Sequence, residues 1–348
     1  MVGGYGATRV MPRTRQRRPD GRPLGDLCLR PGERPSERRP IVTDDHQPVM
    51  VEEVLHFLAP SPDGTYVDAT LGAGGHAEAI LRAVGGRCTL IGVDRDPSAL
   101  RRASYNLRAF GGSVRLVRTN FADLEWIVRS NDIETVDGVL LDLGMSSMQL
   151  DDPTRGFSFR SDGPLDMRMD TDQKLTAADV VNTYPESELA RVIGRYGDER
   201  FAGQLARAVV AARRKAPLRT TKQLADVLAA AYPGRERRQH PARRTFQALR
   251  IAVNSELEAL ATALDVVPDI LAPGGRVVVI SYHSLEDRLV KDKLSSGSRG
   301  SLPGLGSAPE KGPLRALTRG AVLPSDAEVE RNARASAARL RAAVRRAA

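Results

Sequence analysis

Cys28 and Cys88 are the only cysteines in 348 residues. They form no CxxC pair and no even framework, so disulfide stapling and a thiolate metal site are both excluded, and the expected setting is the reducing cytoplasm. Long apolar runs are missing too: no stretch approaches 18 uncharged apolar residues, and the arginine-bearing N-terminus has no apolar segment of the secretory kind. Membrane spanning and export are therefore not expected. Histidine is scarce. His46, His56, His76, His240 and His283 are scattered without i,i+4 spacing, so no metal is expected. What is present is 41% hydrophobic content, enough for a real core in one large domain or two moderate ones.

The net charge of +9 is unevenly placed. Residues 1–40 hold ten Arg against four acids, and residues 313–348 hold eight Arg against three. Between them the chain is close to neutral, yet residues 207–250 carry twelve Lys and Arg against only Asp226 and Glu236. Such a concentration is the footprint of a polyanion-binding surface, because each phosphate contacted releases condensed counterions. A solvated helix face is the bland alternative. Residues 1–40 also hold six Pro and six Gly with few large apolar residues, so 1–43 is expected to be a disordered basic extension, either an arm on RNA or dispensable.

A βα rhythm follows. Strand-like runs lie at 65–70, 88–94, 114–119, 137–143 and 276–282, with helical segments between the first four, which predicts a mostly parallel sheet with crossover helices. The fourth and fifth runs are more than 130 residues apart, far beyond an ordinary crossover. That stretch starts loop-like at 151–170 and continues with helical segments near 186–194, 199–215, 221–231 and 243–263, with Thr220 or Thr221 as a cap. The organisation expected is an α/β domain in two parts, 44–149 and 251–348, interrupted by a helical subdomain at 150–250 that carries the basic patch, with 251–272 leading back into the sheet as a crossover helix. LAPGGR (271–276) reads as the turn into the fifth strand, and 295–312 as a mobile loop.

Between the first strand and the next helix, VDATLGAGGHAEAIL (67–81) fits G-x-G-x-x-A from Gly72, and Asp94 ends the second strand. That pattern suits a nicotinamide dinucleotide or S-adenosylmethionine, since both carry a ribose diol for Asp94. Asp68 separates the two: a carboxylate ahead of the loop repels a pyrophosphate but tolerates a sulfonium and an ammonium. S-adenosyl-L-methionine is therefore the expected cofactor, bound through the Rossmann-like loop. Asp142 ends the fourth strand beside the cofactor, where its carboxylate can accept a hydrogen bond from an exocyclic amine. Ser146 follows it, and after the fifth strand come Ser281, His283, Ser284 and Glu286. Asp142, Ser146 and His283 are the candidate catalytic residues. Methylation at C5 of a pyrimidine needs a cysteine nucleophile, and neither Cys28 nor Cys88 is placed for one. Transfer to a nitrogen or a hydroxyl remains.

With those residues named, the chain resembles the bacterial 16S rRNA cytosine-N4 methyltransferases, the MraW/RsmH family. The matching stretches are HQPVMVEEVL (46–55), VDATLGAGGHAEAIL, IGVDRDPSAL (91–100), NFADL (120–124), 137–170, YGDERFA (196–202), 240–260 and LAPGGRVVVISYHSLEDRLVK (271–291). The resemblance implies a class I methyltransferase with an inserted helical domain, acting on a cytidine at the decoding centre of small-subunit rRNA or the 30S subunit. It places cofactor contacts on Gly74, Gly75, His76, Asp94, Phe121, Asp142 and Gln149. Departures are Met148 and Ala333, each where the family pattern has proline, and the basic N-terminus, which has no counterpart. An NAD-linked oxidoreductase and a non-catalytic RNA-binding assembly factor are the alternatives, and a homodimer is left open.

Overall fold

The computed structural model describes residues 48–234, 240–295 and 312–347. The N-terminal extension, most of the 295–312 loop, and Arg235, Arg237 and Arg238 of the basic patch lie outside the described residues.

Five apolar runs become strands: β1 (Thr65–Asp68), β2 (Thr89–Asp94), β3 (Val114–Arg118), β4 (Val136–Asp142) and β5 (Leu271–Ser281). Two more, β6 (Leu314–Ala316) and β7 (Arg339–Arg345), come from the C-terminal region, where no strand was expected. The sheet order is β3-β2-β1-β4-β5-β7-β6, with β1 to β5 parallel and β7 antiparallel to both its neighbours. LAPGGR does not precede β5 but lies within it. Val136 pairs with Leu271 and Gly138 with Arg276, so residues 272–275 bulge out of the ladder, with Gly274 at φ 83°.

Alternate residues of each strand serve opposite faces. Val277 and Val279 pack with α4 (Leu124–Ser130), α11 (Glu256–Ile270) and α12 (Ser284–Ser295), while Val278 and Ile280 face α1 (Val51–Leu58), α2 (Gly75–Ala83) and α3 (Pro97–Asn106). Both faces of the sheet are thereby covered, as a parallel sheet requires.

Between β4 and β5 the short α5 (Ser147–Asp151) leads into α6 (Ala177–Thr183), α7 (Glu186–Gly197), α8 (Ala202–Lys215), α9 (Thr221–Ala231) and α10 (Ala242–Asn254). These helices bury a third cluster, including Leu165, Met167, Val180, Ile193, Leu205, Val209, Leu224, Phe246 and Leu249, that shares no residue with the two under the sheet. Thr220 caps α9 in a reciprocal box with Gln223, while Thr221 is buried and donates to Ser161 O at 2.8 Å. The helical segment expected near 243–263 divides into α10 and α11, and α11 falls within the crossover helix expected over 251–272. Ser255 turns left-handed (φ 49°) between α10 and α11, and a buried bidentate pair between Arg250 and Glu256, both contacts at 2.9 Å, spans the break. Helix α6 went unread because it is only seven residues long. Among the described residues no helix is long and apolar enough to cross a membrane.

Candidate active site

Open α/β sheets bind ligands beyond the carboxyl ends of their strands, where strand order reverses. Here the reversal falls between β1 and β4, and β1, β2 and β4 end in Asp68, Asp94 and Asp142. The loop from β1 to α2 bends at Gly72 (φ 52°) and Gly74 (φ 88°). Gly74 is the N-cap of α2, where its positive φ calls for glycine, and a Cβ on it would press on the Leu107 side chain at 3.2 Å. The first-turn N–H groups of α2, beginning at Gly75 and His76, have no intrahelical acceptor and face this edge.

Asp94 latches the loop. Its Oδ2 accepts the Gly72 N–H at 2.9 Å and its Oδ1 the Asp96 N–H at 2.8 Å, while burial pushes its carboxyl up to about 6. Asp68 is 1% exposed; Oδ1 accepts from Thr70 N at 3.2 Å, but Oδ2 has no hydrogen-bond partner. Burial raises its carboxyl to about 6 as well, with His76 pulling in the other direction. An orphan carboxylate oxygen inside a protein is costly unless something else meets it.

Asp142 is held from two sides. Its backbone N–H donates to Thr70 Oγ1 at 2.6 Å, and the Tyr282 hydroxyl donates to its Oδ1 at 2.8 Å. Burial raises the Asp142 carboxyl; burial and the adjacent Asp142 charge lift the Tyr282 hydroxyl well above its ordinary value, so it stays a donor. His76 Nε2 lies 2.8 Å from Val49 O, and because a carbonyl only accepts, Nε2 carries the proton. Its Nδ1 then faces Asp142 Oδ2 at 3.6 Å.

The structure thus brings Gly74, Gly75, His76, Asp94 and Asp142 to one edge. Gln149 joins them through Asp96, to which its Nε2 donates at 2.9 Å, while its Oε1 accepts from Ser146 N at 3.1 Å. Ser146 is the N-cap of α5, its hydroxyl accepting from Gln149 N. Phe121 opens a short 3-10 turn just after β3 and packs, half-buried, against the cluster under the sheet. His283 is turned to a local partner: Nδ1 accepts from Glu286 N at 3.3 Å, and Nε2 stands 3.1 Å from Glu286 Oε1 without hydrogen-bond alignment. Thr70, Tyr282, Asp96 and Arg155 were not singled out from the sequence. For Tyr282 the one signal is its place beside His283 at the strand end.

A 3-2-1-4-5-7-6 sheet with an antiparallel seventh strand, carrying acids at the ends of β1, β2 and β4 around a glycine loop, is the fold of a class I methyltransferase. Residues 43–346 match the model of the MraW methylase family, and the chain belongs to that family. Its cofactor is S-adenosylmethionine. The ribosomal RNA small subunit methyltransferase H of Thermobifida fusca is 52% identical over 86% of this chain and 93% of its own. That of Carboxydothermus hydrogenoformans is 46% identical over 86% and 97%, and that of Kosmotoga olearia 47% over 87% and 98%. Membership decides for a methylase against both the oxidoreductase and the non-catalytic alternative.

Proposed function

We propose that the protein methylates the exocyclic N4 of a cytidine in the decoding centre of 16S rRNA, in the cytoplasm, with the helical insert at 150–250 as the part that recognises RNA. The observation that carries the small-subunit rRNA part of this reading is the name shared by relatives 46 to 52% identical over 86% of the chain, and the cytidine N4 in the decoding centre follows from the family resemblance. The exposed Arg207, Arg214, Lys215, Arg219, Lys222 and Arg243 of the insert support it, since a polyanion is the acceptor they suit.

The residues at the sheet edge fit the cofactor. The orphan Oδ2 of Asp68 suits an ammonium, the free lone pairs of Asp94 suit a ribose diol, and the first-turn amides of α2 suit a carboxylate. By resemblance Gly74, Gly75, His76, Phe121, Asp142 and Gln149 complete the contacts. S-adenosylmethionine supplies a methyl group made electrophilic by its sulfonium. The chain supplies position and proton handling. A cytosine amine is a poor nucleophile because its lone pair is delocalised into the ring. Asp142, with Oδ1 already taken by Tyr282, offers Oδ2 to an amine N–H and draws the lone pair out of conjugation. The proton shed after transfer passes to Asp142 Oδ2, facing His76 Nδ1, and needs no covalent intermediate. Placement of the two reacting atoms in a partly desolvated cleft provides the rest of the acceleration.

Reversing charge at Arg214, Lys215 and Arg219 tests the role of the insert. KM for unmethylated 30S subunits is expected to rise about 10-fold or more, and the salt dependence of log K to lose roughly 0.7 to 0.9 per phosphate contact removed. Binding of S-adenosylhomocysteine is expected to stay as in the wild type. An unchanged KM and salt slope would place RNA recognition elsewhere.

A further inference from the structure

Asp96 has more partners than its place requires. As N-cap of α3 it needs one oxygen, and Oδ1 serves, accepting the Ser98 N–H at 2.9 Å and the Ser98 hydroxyl at 2.6 Å. Its Oδ2 accepts from two groups beyond β4: Gln149 Nε2 at 2.9 Å and Arg155 Nη1 at 2.7 Å. The residue is 1% exposed, and against a burial that would raise its carboxyl, the bonds from Ser98, Gln149 and Arg155 hold it below the ordinary value. A cap alone explains none of the Oδ2 bonds.

Both ends of this contact lead to substrates. The Asp96 N–H holds Oδ1 of Asp94, whose other oxygen holds the glycine loop through Gly72. On the far side, Arg155 Nη2 donates to Arg168 O at 2.9 Å and Met169 O at 3.1 Å, and Met169 N donates to Asn254 Oδ1 at 2.8 Å. Between the two acids, Arg95 donates to Asn254 O at 3.0 Å. Residues 94–96 therefore touch the cofactor loop on one side and the start and end of the helical insert on the other.

We propose that Asp96 and Arg155 are positioning residues through which the cofactor and the RNA acceptor strengthen each other's binding. The inference rests on the functional reading above, in which Asp94 meets the cofactor and the insert meets RNA. A ligand that fixes Asp94 fixes the Asp96 backbone; the Asp96 side chain then fixes Gln149 and Arg155, and with them the segment 155–169 on the acceptor side. Linkage makes the effect reciprocal, so one factor describes both directions.

Equilibrium dialysis of labelled S-adenosylhomocysteine against the full chain, with and without saturating unmethylated 30S subunits, reads that factor directly. In the wild type the subunit is expected to tighten the nucleoside by about 5-fold or more, and 30S affinity to rise equally with the nucleoside bound. Arg155→Gln and Asp96→Asn are expected to bring the factor close to 1. Arg155→Lys, which keeps the charge and one bond, gives an intermediate value and decides the matter if Arg155→Gln does not fold. Ser98→Ala weakens the cap on Oδ1 yet leaves Oδ2 intact, so it lowers stability without lowering the factor; a purely structural Asp96 would make Ser98→Ala and Arg155→Gln behave alike. No coupling in the wild type, or coupling undiminished in Asp96→Asn and the Arg155 variants, overturns the proposal. If the wild type still methylates 30S subunits in that case, the functional reading stands without it.

Discussion

Asp94→Ala is expected to weaken S-adenosylhomocysteine binding by about 100-fold or more, because hydrogen bonds to a charged group are worth roughly 1.5–3 kcal/mol each and every 1.4 kcal/mol is a factor of ten. The carboxylate acts twice. On the proposed reading it takes a ribose diol, and it holds the Gly72 and Asp96 amides at 2.9 and 2.8 Å. Its removal releases the glycine loop as well as a ligand contact. Asp94→Asn keeps the shape and one acceptor oxygen, so a smaller loss, about 10-fold, is expected from the same principle. Calorimetric titration reads both, and an alanine variant that binds within threefold of the wild type would remove Asp94 from the cofactor site.

Asp68→Asn is expected to move affinity and stability in opposite directions. The wild-type carboxyl is raised by burial from 3.8 to about 6, so between those values the folded chain binds the proton that the unfolded chain has lost. Stability therefore falls as pH rises through that window, by roughly 3 kcal/mol in full, about half of it above pH 5, and stays lower at neutral pH. Asparagine carries no charge to bury and removes this dependence. Relative to wild type, the ligand-free variant gains stability from about pH 5 to pH 8 by roughly 1.4 kcal/mol, readable as a difference in urea midpoints. On the proposed reading the same change takes away a buried carboxylate that suits the cofactor's ammonium, and S-adenosylhomocysteine binding is expected to drop by about 10-fold or more. Equal pH profiles for the two proteins would mean that Asp68 is not a buried charge in solution. Unchanged affinity would mean that its orphan oxygen meets something other than the cofactor.

The three acids at the sheet edge were legible in the sequence because each ends an apolar run, and a parallel sheet sends all such ends to one side. The long stretch of chain between β4 and β5 was legible for a similar reason, as a gap too long for a crossover. The last two strands were not. RLRAAVR is rich in Ala and Arg, residues that favour helices, yet in the sheet Leu340, Ala342 and Ala343 are buried while Arg339 and Arg341 reach Asp287 at 3.6 and 2.7 Å. Tertiary pairing overrode local preference there. The break at Ser255 was hidden likewise, since a left-handed serine carries no compositional mark and its support, the Arg250 and Glu256 pair, is internal to the fold.

Within the site, what escaped was every contact made across topology. Tyr282 reaches Asp142 from 140 residues away and Arg155 reaches Asp96 from 59, and no spacing rule links such pairs. Ser146 and His283 show the converse. Each is a reactive residue type at a strand end, and each is engaged with a near neighbour, Gln149 or Glu286, in bonds that shape a helix start.

Nucleoside analysis by mass spectrometry tests the central claim most directly. Unmethylated 30S subunits are incubated with the protein and S-adenosylmethionine carrying a labelled methyl group, and the 16S rRNA is digested to nucleosides. The label is expected in N4-methylcytidine, at about one per subunit, and absent when Asp94→Ala replaces the wild type. Label in 5-methylcytidine or in a 2′-O-methyl nucleoside, or none in rRNA at all, would contradict the account.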